Sequence, residues 1–494
     1  IYSTLIMHNL ACREWVDRAP PIHFLRLLVC LRLLMRDPFY QKVFHELGGV
    51  ESLAQYMETV ADGYLGYAGE QTVVDRLVNI TNIFQKLSAV VEQREWVIES
   101  GAHRTLVKLV ASRDNNVLLG ALLALTSLAE SSECREKIGG LSIVENLLIV
   151  LQEYDLLSKR LTAELLRLLC VDPRVREQVK VYEGVPILLS LLHSDHLKLL
   201  WSVVWILVQL CEDPEASTEI RVWGGIKQLL HILQGCWDRN FVSDRSSIGS
   251  LSSANAAPDS LSQGYCSSSC VKLIPKIFLL CLYVPACCAA VTELVLNDTN
   301  AQQVVQENGV YIIGRLILPN NKKNAPRTDL VQCYAFRALR FLFSMERNRH
   351  LFKRLFPSDM FEMFIDIGHY IRDITTYEKL VAKLNSLPEE ELKQIVENIE
   401  SVNQDKAPTK FIGNYAILDH LGSGAFGSVY KVRKHSGQNL LAMKEVNLHN
   451  PAFGKDKKDR DNSVEKIVSE LTIIKEQLHH PNIVRYYKTF LESE

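Results

Sequence analysis

Leucines 87, 128, 169 and 210 recur at a single interval of 41 residues. Each sits in the same short pattern of an apolar residue, two variable positions, leucine and a small residue: Phe84 to Ser88, Leu125 to Ala129, Leu166 to Cys170 and Leu207 to Cys211. A second marker keeps step with it. Gly49, Gly184, Gly225 and Gly309 each follow a leucine (34, 169, 210 and 294) by 15 residues, which suits a sharp bend between successive units. A period of about 40 residues belongs to stacked helical units, none of which buries its apolar face alone. Residues 1 to about 370 are therefore expected to form an α-solenoid.

The glycine turns and short first helices favour armadillo repeats over HEAT repeats. In armadillo proteins that bind peptides, an asparagine on the third helix clamps the ligand backbone, commonly with a tryptophan four residues earlier. The corresponding positions here are Lys86, Ser127, Leu168 and Gln209, and only Trp205 keeps the aromatic half of that pattern. The expected role is a rigid scaffold that docks protein partners by its surface, since a fold does not specify a ligand.

Ser243 to Ser269 interrupts the repeats with 11 serines and few large apolar side chains, so it reads as a disordered loop with weak phosphoacceptor potential. The apolar run from Ile277 to Thr292 has only 16 residues between Lys276 and Glu293 and a proline midway. That is short of the roughly 20 a bilayer span needs, and a buried or misplaced helix is expected. Its abrupt start leaves open an atypical splice segment over 271–296. A helical connector occupies 374–405: Ser386 and Glu389 read as a capping box with Pro388 in the first turn. Only about two heptads fit there, so the segment packs on a neighbouring domain rather than forming a dimerisation rod, with a short coiled coil as the alternative.

Net charge of −2 and a pI near 6.8 give no polyanion footprint, so no nucleic-acid partner is expected. The 12 cysteines are scattered without a C-x₂-C pair, and no secretory signal is visible. Buried free thiols in a reducing compartment follow, which places the chain in the cytoplasm or nucleus, with no membrane partner.

Near the C-terminal end the chemistry changes. Leu421, Gly422, Ser423, Gly424, Ala425, Phe426, Gly427, Ser428 and Val429 form a G-x-G-x-x-G loop, and Lys444 follows the third glycine by 17 residues. Backbone without Cβ atoms can fold closely over a nucleotide's phosphates. In a dinucleotide-binding fold a helix begins after the glycines. Here Val429 and Val432 alternate with polar residues, the period of a strand, so the loop is the turn of a β-hairpin. Leu440 to Val446 reads as the next strand, with Ala442 and Lys444 on one face. A charged loop at 455–461 leads to a helix whose apolar positions run from Val464 to Leu478 and which carries Glu470. Pro481 ends that helix, and Ile483 to Phe490 reads as a further strand.

G-x-G-x-F-G-x-V-Y, Ala-Met-Lys, the helix glutamate and His-Pro-Asn-Ile-Val stand in the order found in eukaryotic protein kinases. From Phe411 onward the chain resembles the NIMA-related Ser/Thr kinases, in particular the kind with armadillo repeats ahead of the kinase domain. The resemblance implies that Gly422, Gly424 and Gly427 cover ATP, that Lys444 contacts its α- and β-phosphates, and that Glu470 holds Lys444. Between Lys444 and Glu470 lie 25 residues, several more than most kinases use. The resemblance also implies protein substrates and Mg²⁺. The loops that hold the metal and the catalytic base do not occur in these 494 residues, so no catalytic or metal residue is assigned. The expected class is mainly α: an armadillo-type solenoid over 1–370, the connector, and the N-lobe of a kinase domain over 411–494. The chain reads as truncated within that domain and inactive alone. The alternative is a non-enzymatic scaffold with a vestigial lobe.

Overall fold

The computed structural model describes residues 2–66, 70–242, 276–319, 328–404, 410–424, 427–434, 440–446 and 486–490, with single positions between 458 and 469. The chain divides into two compact units, Ile1–Val402 and Asn403–Glu494.

The first unit is a ladder of long third helices, each packed on the next: α1 (Pro21–Leu34), α2 (Gln71–Ser88), α3 (Asn115–Ala129), α4 (Leu156–Leu169), α5 (Leu197–Leu210), α6 (Lys276–Leu294) and α7 (Thr328–Ser344). Leu87, Leu128, Leu169 and Leu210 are fully buried in it. The same 41-residue step governs where the helices begin. Asp114 and Asp155 accept hydrogen bonds from the second and third backbone N–H groups of α3 and α4 at 2.8–3.1 Å, and His196 Nδ1 accepts from Leu199 N–H on α5 at 3.4 Å. Asp172 and Asp213 cap Pro173–Val181 and Pro214–Val222, where proline in the first turn forfeits no helical hydrogen bond.

The register glycines do a different job from the one expected. The left-handed turn belongs to the residue before each: φ is +70° at Gly48, +51° at Glu183, +78° at Gly224 and +63° at Asn308. Gly49, Gly184, Gly225 and Gly309 instead open the next helix pressed against the previous one. A Cβ would lie 2.5–2.7 Å from the side chain five residues earlier, namely Phe44, Val179, Ile220 or Val304. Close approach, not bending, requires glycine there.

Residues Tyr283 to Val291 of α6 are buried between α5 and α7. The apolar run is solenoid core where described, and among the described residues no helix is long and apolar enough to cross a membrane. The serine-rich segment lies outside the described residues. The connector helices α8 (Glu378–Asn385) and α9 (Glu389–Ser401) lie on the solenoid. Leu380, Val381 and Leu384 of α8, and Ile395 and Ile399 of α9, are buried. Gln332 on α7 and Asn385 on α8 exchange amide hydrogen bonds at 2.9 and 3.1 Å. The expected capping box is not made: Ser386 Oγ donates back to the Lys383 carbonyl at 2.8 Å, and Pro388 stands outside the helix as its N-cap. With α8 ending at Asn385, the Ser386 hydroxyl is used up on the previous helix.

The second unit contains an antiparallel sheet in sequence order: β1 (Lys410–Ile412), β2 (Tyr415–Gly424), β3 (Gly427–Lys434) and β4 (Leu440–Val446). Its core face gathers Tyr415, Ile417 and Val432, with Tyr430 and Met443 against them. Strand β1 was not foreseen. The strand expected over Ile483 to Phe490 is absent from its described part, residues 486–490. That part is held by rings rather than by a ladder: Phe490 stacks on Tyr415 with centroids 5.6 Å apart, and Lys488 Nζ lies 5.7 Å from the Tyr415 ring. Lys458, Asp461, Asn462, Glu465, Lys466 and Ser469 are helical and exposed. Two residues of the segment expected to be a loop, Lys458 and Asp461, are therefore helical. The apolar positions of that helix lie outside the described residues.

Candidate functional site

Two residues of β2, Leu418 and Leu421, have no cross-strand partner, because the register shifts between Ile417 and Asp419 and again between His420 and Gly422. Beyond the second shift the hairpin closes regularly, with Gly422 opposite Val429, Ser423 opposite Ser428 and Gly424 opposite Gly427. On the other side of β3, Val429 stands opposite Lys444 and Lys431 opposite Ala442. Directly opposed residues share a face of a sheet, and so do residues two apart. Gly422, Val429, Ala442 and Lys444 thus lie on one face, and the apolar core residues Val432, Tyr430 and Met443 on the other. Lys444 and Ala442 are exposed, Val429 is half-buried, and Leu421 at the rim is 57% exposed.

The glycines differ in what they need. Gly427 has φ of +154°, and a Cβ there would fall 1.8 Å from the Glu445 carbonyl oxygen, so β4 itself excludes any other residue. At Gly422 a Cβ would meet nothing within 4 Å. Among the described residues the space over that strand is open. Ser423 and Ser428 are tied by a 3.1 Å hydrogen bond between hydroxyls, and His420 Nε2 pairs with Ser423 Oγ at 2.8 Å. This chain of three polar groups at the base of the turn was missed in the sequence. Its only sequence signal is the pair of serines placed symmetrically about the glycine turn. Ala425, Phe426 and Glu470 lie outside the described residues, so the Lys444–Glu470 pairing is not seen.

On the solenoid, the positions equivalent to a peptide clamp line the exposed stripe of the ladder: Lys86 is exposed, and Ser127, Leu168 and Gln209 are half-buried. Trp205 meets Trp201 edge to face with centroids 6.5 Å apart, and the Arg167 guanidinium lies 4.6 Å from the Trp201 ring centroid. Arg167 and Trp201 were not singled out in the sequence.

A hairpin with a glycine turn, one lysine-bearing face and an opposite apolar face, carried behind armadillo-type repeats, defines a protein kinase domain joined to a solenoid. Residues 415–494 match the protein kinase domain family. The chain is 75% identical to human serine/threonine-protein kinase Nek10, covering all of this chain and 42% of that protein. It is 30% identical to Caenorhabditis elegans serine/threonine-protein kinase D1044.8, covering 99% of this chain and 49% of that one. The chain therefore belongs with the NIMA-related serine/threonine-protein kinases, and it spans under half the length of these relatives. A solved structure titled for a phosphorylation switch controlling the interaction between cadherin and beta-catenin aligns at a TM-score of 0.54 and 13% identity, covering 81% of this chain and 77% of that one, a likeness of fold alone.

Proposed function

We propose that the protein transfers phosphate from ATP to serine or threonine hydroxyls of other proteins, with the armadillo-type region recruiting or regulating. The row Gly422, Val429 and Lys444 on one face of the sheet carries this reading. The open space over Gly422 fits the close approach of phosphates to backbone N–H groups. Lys444 supplies a cation for the α- and β-phosphates, and Glu470 is its partner in this reading. Leu421, Val429 and Ala442 form the apolar wall for the base, and Gly424, Ala425, Phe426, Gly427, Ser423 and Ser428 complete the lid. Mg²⁺ is a different matter. Among the described residues no group of three or more His, Cys, Asp or Glu side chains could hold a metal ion, so no residue is assigned to Mg²⁺ or to the catalytic base in this reading.

In this reading the repeats span 1–370, the connector 374–405 and the kinase N-lobe 411–494, in a protein of the cytoplasm or nucleus. The test is phosphotransfer from labelled ATP by the full-length protein. Lys444→Met is expected to lower the rate by at least about a hundredfold, in line with the loss of electrostatic stabilisation of a transferring phosphoryl group. Unchanged transfer in that variant rejects the assignment.

A further inference from the structure

Val181, Tyr182, Val222 and Trp223 put apolar surface into water at the C-terminal ends of helices Pro173–Val181 and Pro214–Val222, the first helices of two adjacent repeats. Val181 and Val222 are 68% and 67% exposed, Trp223 is 56% and Tyr182 38%. The two pairs stand one 41-residue step apart, and no third-helix residue belongs to them. The patch is bounded. The same two places hold Gly139 and Gly140 in the repeat before, and Gln306 and Glu307 in the repeat after. An aromatic pair beside two exposed valines, with polar or bare backbone on either side, has the composition of an interaction site.

The rim is acidic. Residues 173–183 and 212–223 carry six carboxylates against four cations. Three of those cations are already held: Arg174 by Asp172, Arg176 by Glu212, and Lys180 by Asp213, Glu215 and Glu177. The carboxylates nearest the two rings are not: neither Glu183 nor Glu219 is in an ion pair among the described residues. Glu183 follows Tyr182, and Glu219 lies one turn before Trp223, whose indole N–H bonds to it. Burial, and then the Glu183 carboxylate, push the Glu219 pKa up, with Lys180 and the indole opposing them. The two acids therefore repel each other across the repeat boundary, and a cation placed between them removes that repulsion. Glu183 also holds a φ of +51° where the matching positions 48 and 224 carry glycine, so its carboxylate stands there at a cost in strain.

We propose that this patch docks an arginine-bearing segment of a partner protein. The guanidinium lies over the Trp223 ring with Glu183 and Glu219 beside it, and apolar residues flanking the arginine cover Val181, Tyr182 and Val222. Arginine suits the place better than lysine, because its planar fork stacks on an indole while its N–H groups reach two carboxylates. Charge selects the partner, and the aromatic pair anchors it.

Docking needs no nucleotide, so its test is separate from that of phosphotransfer. Three fluorescein-labelled peptides, each with two charged residues set between three leucines and differing only in carrying Arg, Lys or Glu, are titrated with the 494-residue chain. Anisotropy is followed at low salt without ATP. The Arg peptide is expected to saturate with a Kd of about 100 µM or tighter, the Lys peptide to bind about three- to tenfold more weakly, and the Glu peptide not to saturate. Trp223→Ala and Glu183→Lys are each expected to weaken the Arg peptide at least about tenfold. Both side chains are exposed, and circular dichroism melts show that the variants are folded. Failure of the Arg peptide to saturate, equal binding of the Glu peptide, or undiminished binding by folded Trp223→Ala overturns the proposal. So does sedimentation showing a dimer of the chain alone that Trp223→Ala makes monomeric, since a second copy then covers the patch.

Discussion

Asn300 donates its side-chain amide to the hydroxyl of Ser217 at 2.9 Å, across 83 residues of sequence, and both groups are buried. The two helices that carry them, Pro214–Val222 and Asp298–Gln306, begin consecutive repeats. The solenoid therefore stacks directly across the point where the serine-rich segment is inserted, and α5 packs on α6 as any other pair of rungs does.

Removing residues 246–268 is accordingly expected to leave the helical circular dichroism signal and the melting temperature of the chain nearly unchanged. In the intact chain, limited proteolysis is expected to cut first within Ser243 to Ser269. First cuts between Leu87 and Leu210 would contradict the 41-residue register.

At the bend between the first two helices of α5's repeat, adjacent residues are expected to respond in opposite directions. Gly184→Ala drives a Cβ to 2.7 Å from Val179 and is expected to destabilise by about 1–3 kcal/mol. Glu183→Gly relieves a left-handed φ of +51° and is expected to stabilise by up to about 1 kcal/mol. Denaturant midpoints read both.

Asp155→Ala removes the cap of α4 and is expected to cost about 1 kcal/mol. Hydrogen bonds from Ser158 hold the Asp155 carboxyl below its ordinary pKa. A carboxyl depressed in the folded state stabilises above its unfolded pKa and loses that contribution as pH falls through the folded value. Asp155→Asn, which keeps an accepting oxygen, is therefore expected to show a smaller loss of stability between pH 5 and 3 than the parent, measured by thermal melts.

A polypeptide of these 494 residues, purified free of other kinases, is expected to transfer no phosphate to casein or to itself. Incorporation of label that disappears in Lys444→Ala would show that the described lobe is sufficient for chemistry.

Residues Phe411 to Glu494 expressed alone are expected to be poorly soluble and to bind ATP at about millimolar or weaker, some 4 kcal/mol. Among the described residues the sheet buries Tyr415, Ala416, Ile417, Leu418 and Val432, while Phe411 and Leu421 are 60% and 57% exposed. Isothermal calorimetry and light scattering test this: a monodisperse fragment with micromolar affinity, lost in Lys444→Met, refutes it.

The period of the buried leucines was legible because each one closes a helix against its neighbours, so burial repeats with the chain. The caps Asp114, Asp155 and His196 obey the same step but vary in residue type, and a histidine in that position carries no capping signal. The glycine register was read correctly as a register and wrongly as a bend, because a single sequence does not distinguish a residue that needs positive φ from one that needs no Cβ. On the sheet, alternation showed which face holds Lys444 and Ala442. Strand β1 escaped notice because three residues are too few to show alternation, and the segment at 486–490 alternates yet is not a strand, with Phe490 stacked on Tyr415.

Leu418 and Leu421 are the two residues of β2 that β3 does not match, so the strand spends five steps from Ile417 to Gly422 where β3 spends three from Val432 to Val429. What this stretch conserves is a count. Replacing either leucine alters one side chain, but losing one turns every later residue of the strand over, sending the side of Gly422 that faces Lys444 to the apolar side and bringing Ser423 round in its stead. Losing both restores the parity with a flatter strand. In this part of the chain, a deletion is therefore paired with another deletion before it is paired with any substitution.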